Sequence, residues 1–466
     1  GDIMLFTSIS FLYYFLPIVL LGYFIVPNKI KNYWLLISSL IFYLYGDSKY
    51  LLLMISEIFI CYIGGLVLEK HKNKYLLALF LIIHLGLLGY FKYIDFLIRS
   101  INNIFNSNLK LLNVLLPIGI SFYTFQIISY LIDVYRGKIK AQDNFFNLAT
   151  YVSLFPQLIA GPIVRYEDIN DNLIKKDISL ENVAMGIKRF TIGLGKKVLI
   201  ANVLGGFCTS YLNSPDKSVV FSFFYMLCYT MQVFFDFAGY SDMAIGLGKI
   251  LGFNFLENFN YPFISKSITE FWQRWHISLG SWFRDYVYIP LGGSRVNKYK
   301  LIRNILVVWT LTGLWHGAAW NFIIWGLYFG IILLIEKLVL KKYLDKMPNI
   351  LKHLYVLLIV GLSFVIFGAD NMSSAFDILK NIVGLNGLPF YNKITGYYLR
   401  NYIIIIILGI LFSTPIIKNI IERLKKKDSI KKIINLGEIV LILIIFLLVT
   451  SSLIDNSYNP FLYFRF

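Results

Sequence analysis

Charge is scarce in this chain: Asp, Glu, Lys and Arg supply 15% of 466 residues, against 58% hydrophobic residues. So little charge cannot coat a water-soluble protein of this size, and one soluble core cannot bury so much apolar surface. Cysteine is scarcer still. Cys61, Cys208 and Cys228 sit in apolar stretches at irregular spacing, which excludes a disulfide framework or a CxxC pair and leaves them as packing residues. No cluster of His, Cys and carboxylates has metal-ligand spacing, and no glycine-rich phosphate loop is present, so neither a metal nor a bound cofactor is expected. Acidic residues are few, 26 against 44 basic ones, for a net charge of +18. That excess does not announce nucleic acid, because the lysines and arginines gather in short loops between apolar runs, as the positive-inside rule expects. No repeat recurs at a fixed period.

What is present is hydrocarbon-compatible sequence from end to end. Candidate membrane helices, their boundaries soft by several residues, are expected at 5–26, 33–45, 50–68, 75–93, 111–134, 183–212, 219–237, 301–314, 320–340, 351–367, 397–421 and 433–453. The expected fold is an all-α polytopic membrane protein of roughly ten to twelve spans, a single membrane-embedded domain over 4–466. Gly1-Asp2-Ile3 ahead of Met4 reads as a vector remnant. The first apolar run lacks a basic flank and a small-residue cleavage site, so it reads as a retained helix rather than a signal peptide. Clusters at Lys29/Lys31, Lys70/Lys72/Lys74 and Arg136/Lys138/Lys140, with others at 337–346 and 423–432, give one consistent orientation. These loops face the cytoplasm, and both Met4 and the tail 455–466 lie outside.

Three stretches do not read as plain spans. Residues 145–165 are apolar but interrupted by Pro156 and Ala160-Gly161-Pro162, which suits a re-entrant or interfacial segment. Residues 237–252 are rich in small side chains and read as too short to cross again after 219–237. Residues 259–295 mix aromatics with Lys266, Glu270, Arg274, Arg284, Asp285 and Arg295; such a segment must line a cavity or lie at the interface.

Two constellations carry candidate chemistry. The first runs from Glu270 through Phe271, Trp272, Gln273, Arg274, Trp275 and His276 to Trp282-Phe283-Arg284-Asp285. Read as one helix, it puts Trp272, Trp275/His276 and Leu279 on one face, with Arg274 elsewhere. The competing reading is an interfacial aromatic belt with snorkelling arginines, which does not need an acid and a histidine packed so tightly. The second is Gly313-Leu314-Trp315-His316-Gly317, between apolar runs. A histidine there must be paired or line a polar cavity, and it is the side chain best suited to take a proton near neutral pH. The competing reading is a core histidine satisfied by a backbone carbonyl. Gly313 and Gly317 leave room for another backbone or a thin acyl chain. Asp236 and Asp242 read equally as helix caps or site residues. His71 reads as a loop residue, and His84 and His353 as structural.

Taken together, Phe234-Phe235-Asp236-Phe237-Ala238-Gly239-Tyr240-Ser241-Asp242, Glu257-Asn258-Phe259-Asn260-Tyr261-Pro262, the Trp272 to His276 block, Tyr288-Ile289-Pro290-Leu291-Gly292-Gly293 and Gly313-Leu314-Trp315-His316-Gly317 resemble the membrane-bound O-acyltransferases, in their bacterial alginate O-acetyltransferase branch. The resemblance runs over nearly the whole chain. It implies His316 as the catalytic histidine and His276 as its upstream partner, in a helical ring with a cytoplasmic funnel for the donor and an outer opening for the acceptor. Implied with it are acetyl-CoA as donor, a polysaccharide acceptor, an extracytoplasmic transferase as partner and a place in the bacterial cytoplasmic membrane. Trp272, Arg274, Trp275, Arg284, Asp285, Trp315, Asp236 and Asp242 are the candidate substrate-binding residues, Arg274 and Arg284 for donor phosphates. The similar D-alanine-transferring enzymes of teichoic acid modification often lack the Pro-Leu-Gly-Gly form, which favours acetyl transfer. The ending Asn459-Pro460-Phe461-Leu462-Tyr463-Phe464-Arg465-Phe466 resembles the tail of the small partner subunit of those systems, implying that Tyr463 carries the acyl group. An interfacial aromatic anchor is the plainer reading of the same tail. A proton-coupled transporter is the rival function, against which stands the lack of an inverted repeat.

Overall fold

A computed structural model describes residues 4–455 and 458–462. Every regular element among them is helical, and eight helices are long and apolar enough to cross a membrane. The protein is a multi-pass, all-α membrane protein. Eight differs from ten to twelve for identifiable reasons. Residues 33–45 and 50–68 fall in one apolar stretch, Asn28–Lys70, broken only by a short 3-10 turn. The run 111–134 is helical only from Ile120, after Pro117 and after Gly119 at φ 73°. The run 301–314 carries Lys298, Lys300 and Arg303 at the start of its helix and falls outside the eight.

The chain forms two compact units, residues 1–190 with 241–256, and 191–240 with 257–466. In the first, α1 (Lys31–Asp47), α2 (Leu51–Lys70), α3 (Lys74–Leu88) and α4 (Ile120–Tyr135) pack around polar side chains that lipid could not solvate. Glu57 and the Nδ1 of His84 pair at 2.9 Å, both fully buried, so His84 is structural as its apolar setting indicates. The segment 145–165 enters this unit as α5 (Phe145–Ser153), a kink at Leu154 and a buried loop. It is buried in protein, as its prolines require.

Helix α6 (Leu180–Gly195) is followed by a π-helical turn, Lys196–Ala201, then α7 (Asn202–Asn213) and α8 (Val219–Leu251). The last corrects the reading that a span ends at Phe237, because the helix continues for 33 residues. Small residues here serve contact rather than termination. A Cβ on Gly239 would stand 2.8 Å from the Gly193 carbonyl oxygen, so α8 and the end of α6 touch backbone to backbone.

The second unit adds α9 (Ile268–Arg274), α10 (Ile277–Phe283), α11 (Lys298–His316), α12 (Trp320–Ile335), α13 (Asn349–Gly368), α14 (Lys393–Phe412) and α15 (Asp428–Asp455). Helices α11 and α12 form the tightest seam. A Cβ on Gly313 would lie 2.3 Å from the Phe322 carbonyl oxygen, and one on Gly326 would lie 2.2 Å from that of Trp309. The partner that the glycines beside His316 admit is therefore a second helix. Gly326→Ala forces this seam apart and is expected to lower stability by about 1–3 kcal/mol. A thermal unfolding midpoint equal to that of the unsubstituted protein would show that the seam yields without strain.

Candidate active site

The segment 259–295 does not form one helix. Helix α9 stops at Arg274, Trp275 caps it in extended conformation, and His276 takes φ 47°, ψ 54° before α10 begins. The helical-face reading of Trp272, Trp275/His276 and Leu279 is thereby corrected, since the periodicity breaks between Trp275 and His276. A histidine in the left-handed region is strained and persists only where its surroundings fix it. They do. The Asn258 carbonyl oxygen accepts from the Ile277 N–H at 2.9 Å, and its side-chain oxygen accepts from the Ser278 N–H and hydroxyl at 3.1 and 2.9 Å. The Asn260 N–H donates to the Arg274 carbonyl at 2.9 Å, closing the other side of the break.

The start of α9 is fixed from α12. Glu336, buried in the π-helical turn that follows α12, accepts from the N–H groups of Ile268 and Thr269 at 2.6 and 3.0 Å. It also accepts from the Thr269 hydroxyl at 2.7 Å and the Tyr355 hydroxyl at 2.9 Å. One carboxylate thus satisfies two of the helix's orphan donors and ties in a third element.

His316 is the last residue of α11 and 2% exposed. Its Nδ1 lies 2.7 Å from the Thr312 carbonyl oxygen. A carbonyl can only accept, so Nδ1 carries the proton and the basic lone pair of the neutral ring sits on Nε2. The satisfied-histidine reading is met at Nδ1. The two imidazole centroids stand 6.1 Å apart. Around them Phe237 lies 4.6 Å and Trp315 5.7 Å from His276, with Trp325 4.9 Å and Phe367 5.8 Å from His316. Burial first, and then the neighbouring His316, push the His276 imidazole well below its ordinary pKa, so it is neutral at physiological pH.

A cavity of about 950 Å³ reaches His276 of this pair. His276, Trp272, Trp309 and Thr312 line its buried part, and the exposed side chains of Lys266, Arg284, Lys337 and Lys341 line its rim. The Trp272 indole N–H is buried with no hydrogen-bond partner among the described residues, which leaves a donor for a bound group. The other candidates divide. Arg284 is on the cavity and pairs with Asp285 at 2.8 Å, whereas Arg274 is held by Glu270 at 3.0 Å and the Asn260 carbonyl. Trp275 packs in the core against Phe271 and Phe364. Asp236 pairs with Lys197 at 2.5 Å, and Asp242, in the first unit, pairs with Arg189 at 2.7 Å. His353 lies 3.2 Å from the Ser265 carbonyl and is structural. Tyr463 lies outside the described residues. Sequence reasoning missed Glu336 and the rim residues Lys337 and Lys341, whose 337–346 basic cluster read purely as topology; Asn258 stood in a resemblance motif without a role, and Lys266 in the stretch expected to line a cavity or lie at the interface.

A neutral imidazole kept dry within a helical membrane protein, at the end of a cavity with a cationic rim, is suited to passing an acyl group to a hydroxyl. Comparison with known proteins leads to the same class. The model of the MBOAT, or membrane-bound O-acyltransferase, family matches residues 140–368. A probable alginate O-acetylase of Azotobacter vinelandii is 36% identical over 99% of this chain and 100% of its own length. One from Pseudomonas aeruginosa is 42% identical over 81% of this chain and 74% of its own. A peptidoglycan O-acetyltransferase of Helicobacter pylori is 38% identical over 83% of this chain and 81% of its own. The chain belongs to the membrane-bound O-acyltransferase family, and both histidines fall within the matched residues.

Glu336→Ala removes one of the two side chains that cap α9, Ser267 being the other, and leaves the Ile268 and Thr269 N–H groups unanswered. It is expected to cost about 2–4 kcal/mol and to lower acyl transfer by displacing His276. Unchanged thermal stability in that variant would remove the cap from this account.

Proposed function

We propose that the protein takes acetyl from cytoplasmic acetyl-CoA and delivers it outward for O-acetylation of a polysaccharide, with a separate extracytoplasmic transferase completing the transfer. The observation that carries this reading is the cavity, with cations at its rim and His276 in its buried part, the His316 ring 6.1 Å behind it. The rim suits the phosphates of CoA, and the aromatic box suits a small uncharged acyl group. Two buried carboxylates of the second unit, Glu336 and Asp236, are committed to the α9 cap and to Lys197. The three relatives named above share acetylation and differ in the polymer, whereas teichoic acid D-alanyltransferases match about half of this chain at 30–34% identity. In this reading the rim faces the cytoplasm across a bacterial cytoplasmic membrane and both termini lie outside, an orientation that the positive-inside pattern of the basic clusters supports.

In this reading Tyr463 is the first acceptor. His316 Nε2 takes the proton of its hydroxyl, the phenolic oxygen attacks the thioester carbonyl, the C–S bond breaks and CoA leaves as a thiol after taking up a proton. The Trp272 N–H and His276 polarise the carbonyl as charge develops on its oxygen. The acetyl ester on Tyr463 then passes to the outer partner.

The test is polymer O-acetylation, with CoA release from acetyl-CoA followed in parallel. His316→Ala is expected to lower acetylation by about 10²–10⁴-fold. His276→Ala is expected to lower it less, and equal losses in single and double variants would make the two one unit. Wild-type acetylation in folded His316→Ala would sink the assignment. A protein that moved protons without acyl transfer would release no CoA.

A further inference from the structure

Lys197 and Asp236 are each 1% exposed and meet at 2.5 Å, in the π-helical turn after α6 and in α8. A buried ion pair is stable only when its remaining donors and acceptors are also satisfied. The second donor of Lys197 goes to the Asn202 side-chain oxygen at 2.8 Å, and a third to the Pro460 carbonyl. The second oxygen of Asp236 accepts from the Leu462 N–H at 3.2 Å. One group on each side of the pair therefore comes from the segment that follows α15. Neighbouring contacts hold the same segment. The Asn202 side-chain N–H donates to the Asn459 side chain at 3.0 Å, the Tyr458 and Thr209 hydroxyls meet at 3.2 Å, and the Phe461 ring lies 4.5 Å from that of Tyr240.

We infer that Lys197 and Asp236 form a latch that docks residues 458–462 beside the histidine pair. The pair is matched to the direction of the docked backbone, with the ammonium facing a carbonyl and the carboxylate facing an N–H. Asp236 immediately precedes Phe237, whose ring packs on His276, so the latch holds the residue before Tyr463 against the helix that also presents a ring to His276. The inference rests on the reading of Tyr463 as acyl carrier for its purpose, but not for its geometry. Lys197 and Asp236 are positioning residues: they touch the carrier segment and not the acetyl group.

The full-length protein in detergent permits hydrogen–deuterium exchange of the peptide containing 458–462 beside polymer acetylation and acetyl-CoA binding. Lys197→Met with Asp236→Leu removes both charges while keeping an apolar fill. It is expected to speed exchange of that peptide about tenfold or more and to lower acetylation about a hundredfold, with acetyl-CoA affinity unchanged. The exchanged pair, Lys197→Asp with Asp236→Lys, keeps an ion pair but faces each backbone group with the wrong charge, so it should not restore docking. Should either double variant fail to fold, Asn459→Ala loosens the segment without touching the pair and should speed the same exchange. Wild-type protection in the uncharged variant, or full rescue by the exchanged pair, overturns the latch. A freed segment with wild-type acetylation leaves the latch standing and removes the carrier role from Tyr463.

Discussion

The left-handed turn at His276 is the constraint around which the second unit is organised. In water a short helix such as α9 would fray and the turn would relax. Here each backbone group near the break is answered from elsewhere in the chain, by Asn258 and Asn260 on one side and by Glu336 at the far end of α9. With water excluded, any one of these left unmade exposes a polar group to an environment that cannot repair it. The strain at His276 is thus held by several hydrogen bonds together. The turn also lets the ring reach the cavity while Trp275, its neighbour, stays in the core.

The same exclusion of water explains the division of labour between the histidines. His316 sits on a helix end whose last turn supplies a carbonyl for Nδ1, so its tautomer is set by its own helix. His276 sits on the cavity and is kept neutral by burial and by its neighbour. Aromatic rings supply the rest of the enclosure because they fill volume without adding groups that need partners. The glycine seam of α11 and α12 complements this arrangement, since only a close helix pair brings Trp325 against His316.

Much of this was legible in the sequence because it depends on local chemistry. Two histidines in apolar, Trp-rich surroundings, glycines beside one of them, and too little charge for a soluble surface lead to a membrane fold and a buried pair. The break at Trp275–His276 was not legible: residues 268–283 satisfy helical periodicity, and the hydrogen bonds that interrupt it come from Asn258 and Asn260, outside the pattern. Glu336 was hidden for a similar reason, lying 68 residues from the Ile268 N–H it caps. Residues 237–252, rich in small side chains, were read as a separate stretch too short to cross again, whereas they continue α8 over the backbone contact at Gly239.

Lys197 is the clearest case of a residue whose meaning exists only in three dimensions. In sequence, Lys196-Lys197 is two charges within an apolar run, and Asp236 is a lone acid 39 positions later. Either alone would be expensive at that depth. Joined across the contact of α6 and α8, they still leave a donor and an acceptor to be filled, and both are met by the backbone of 458–462. A salt bridge between two helices alone would not need a segment from elsewhere in the chain. The geometry therefore couples helix packing at Gly193 and Gly239 to the placement of a segment more than two hundred residues away, whose Leu462 N–H meets Asp236 across 226 positions. A Cβ at Gly239 would push α8 from α6 and separate the amine from the carboxylate. The helix seam and the docked segment then stand or fall together.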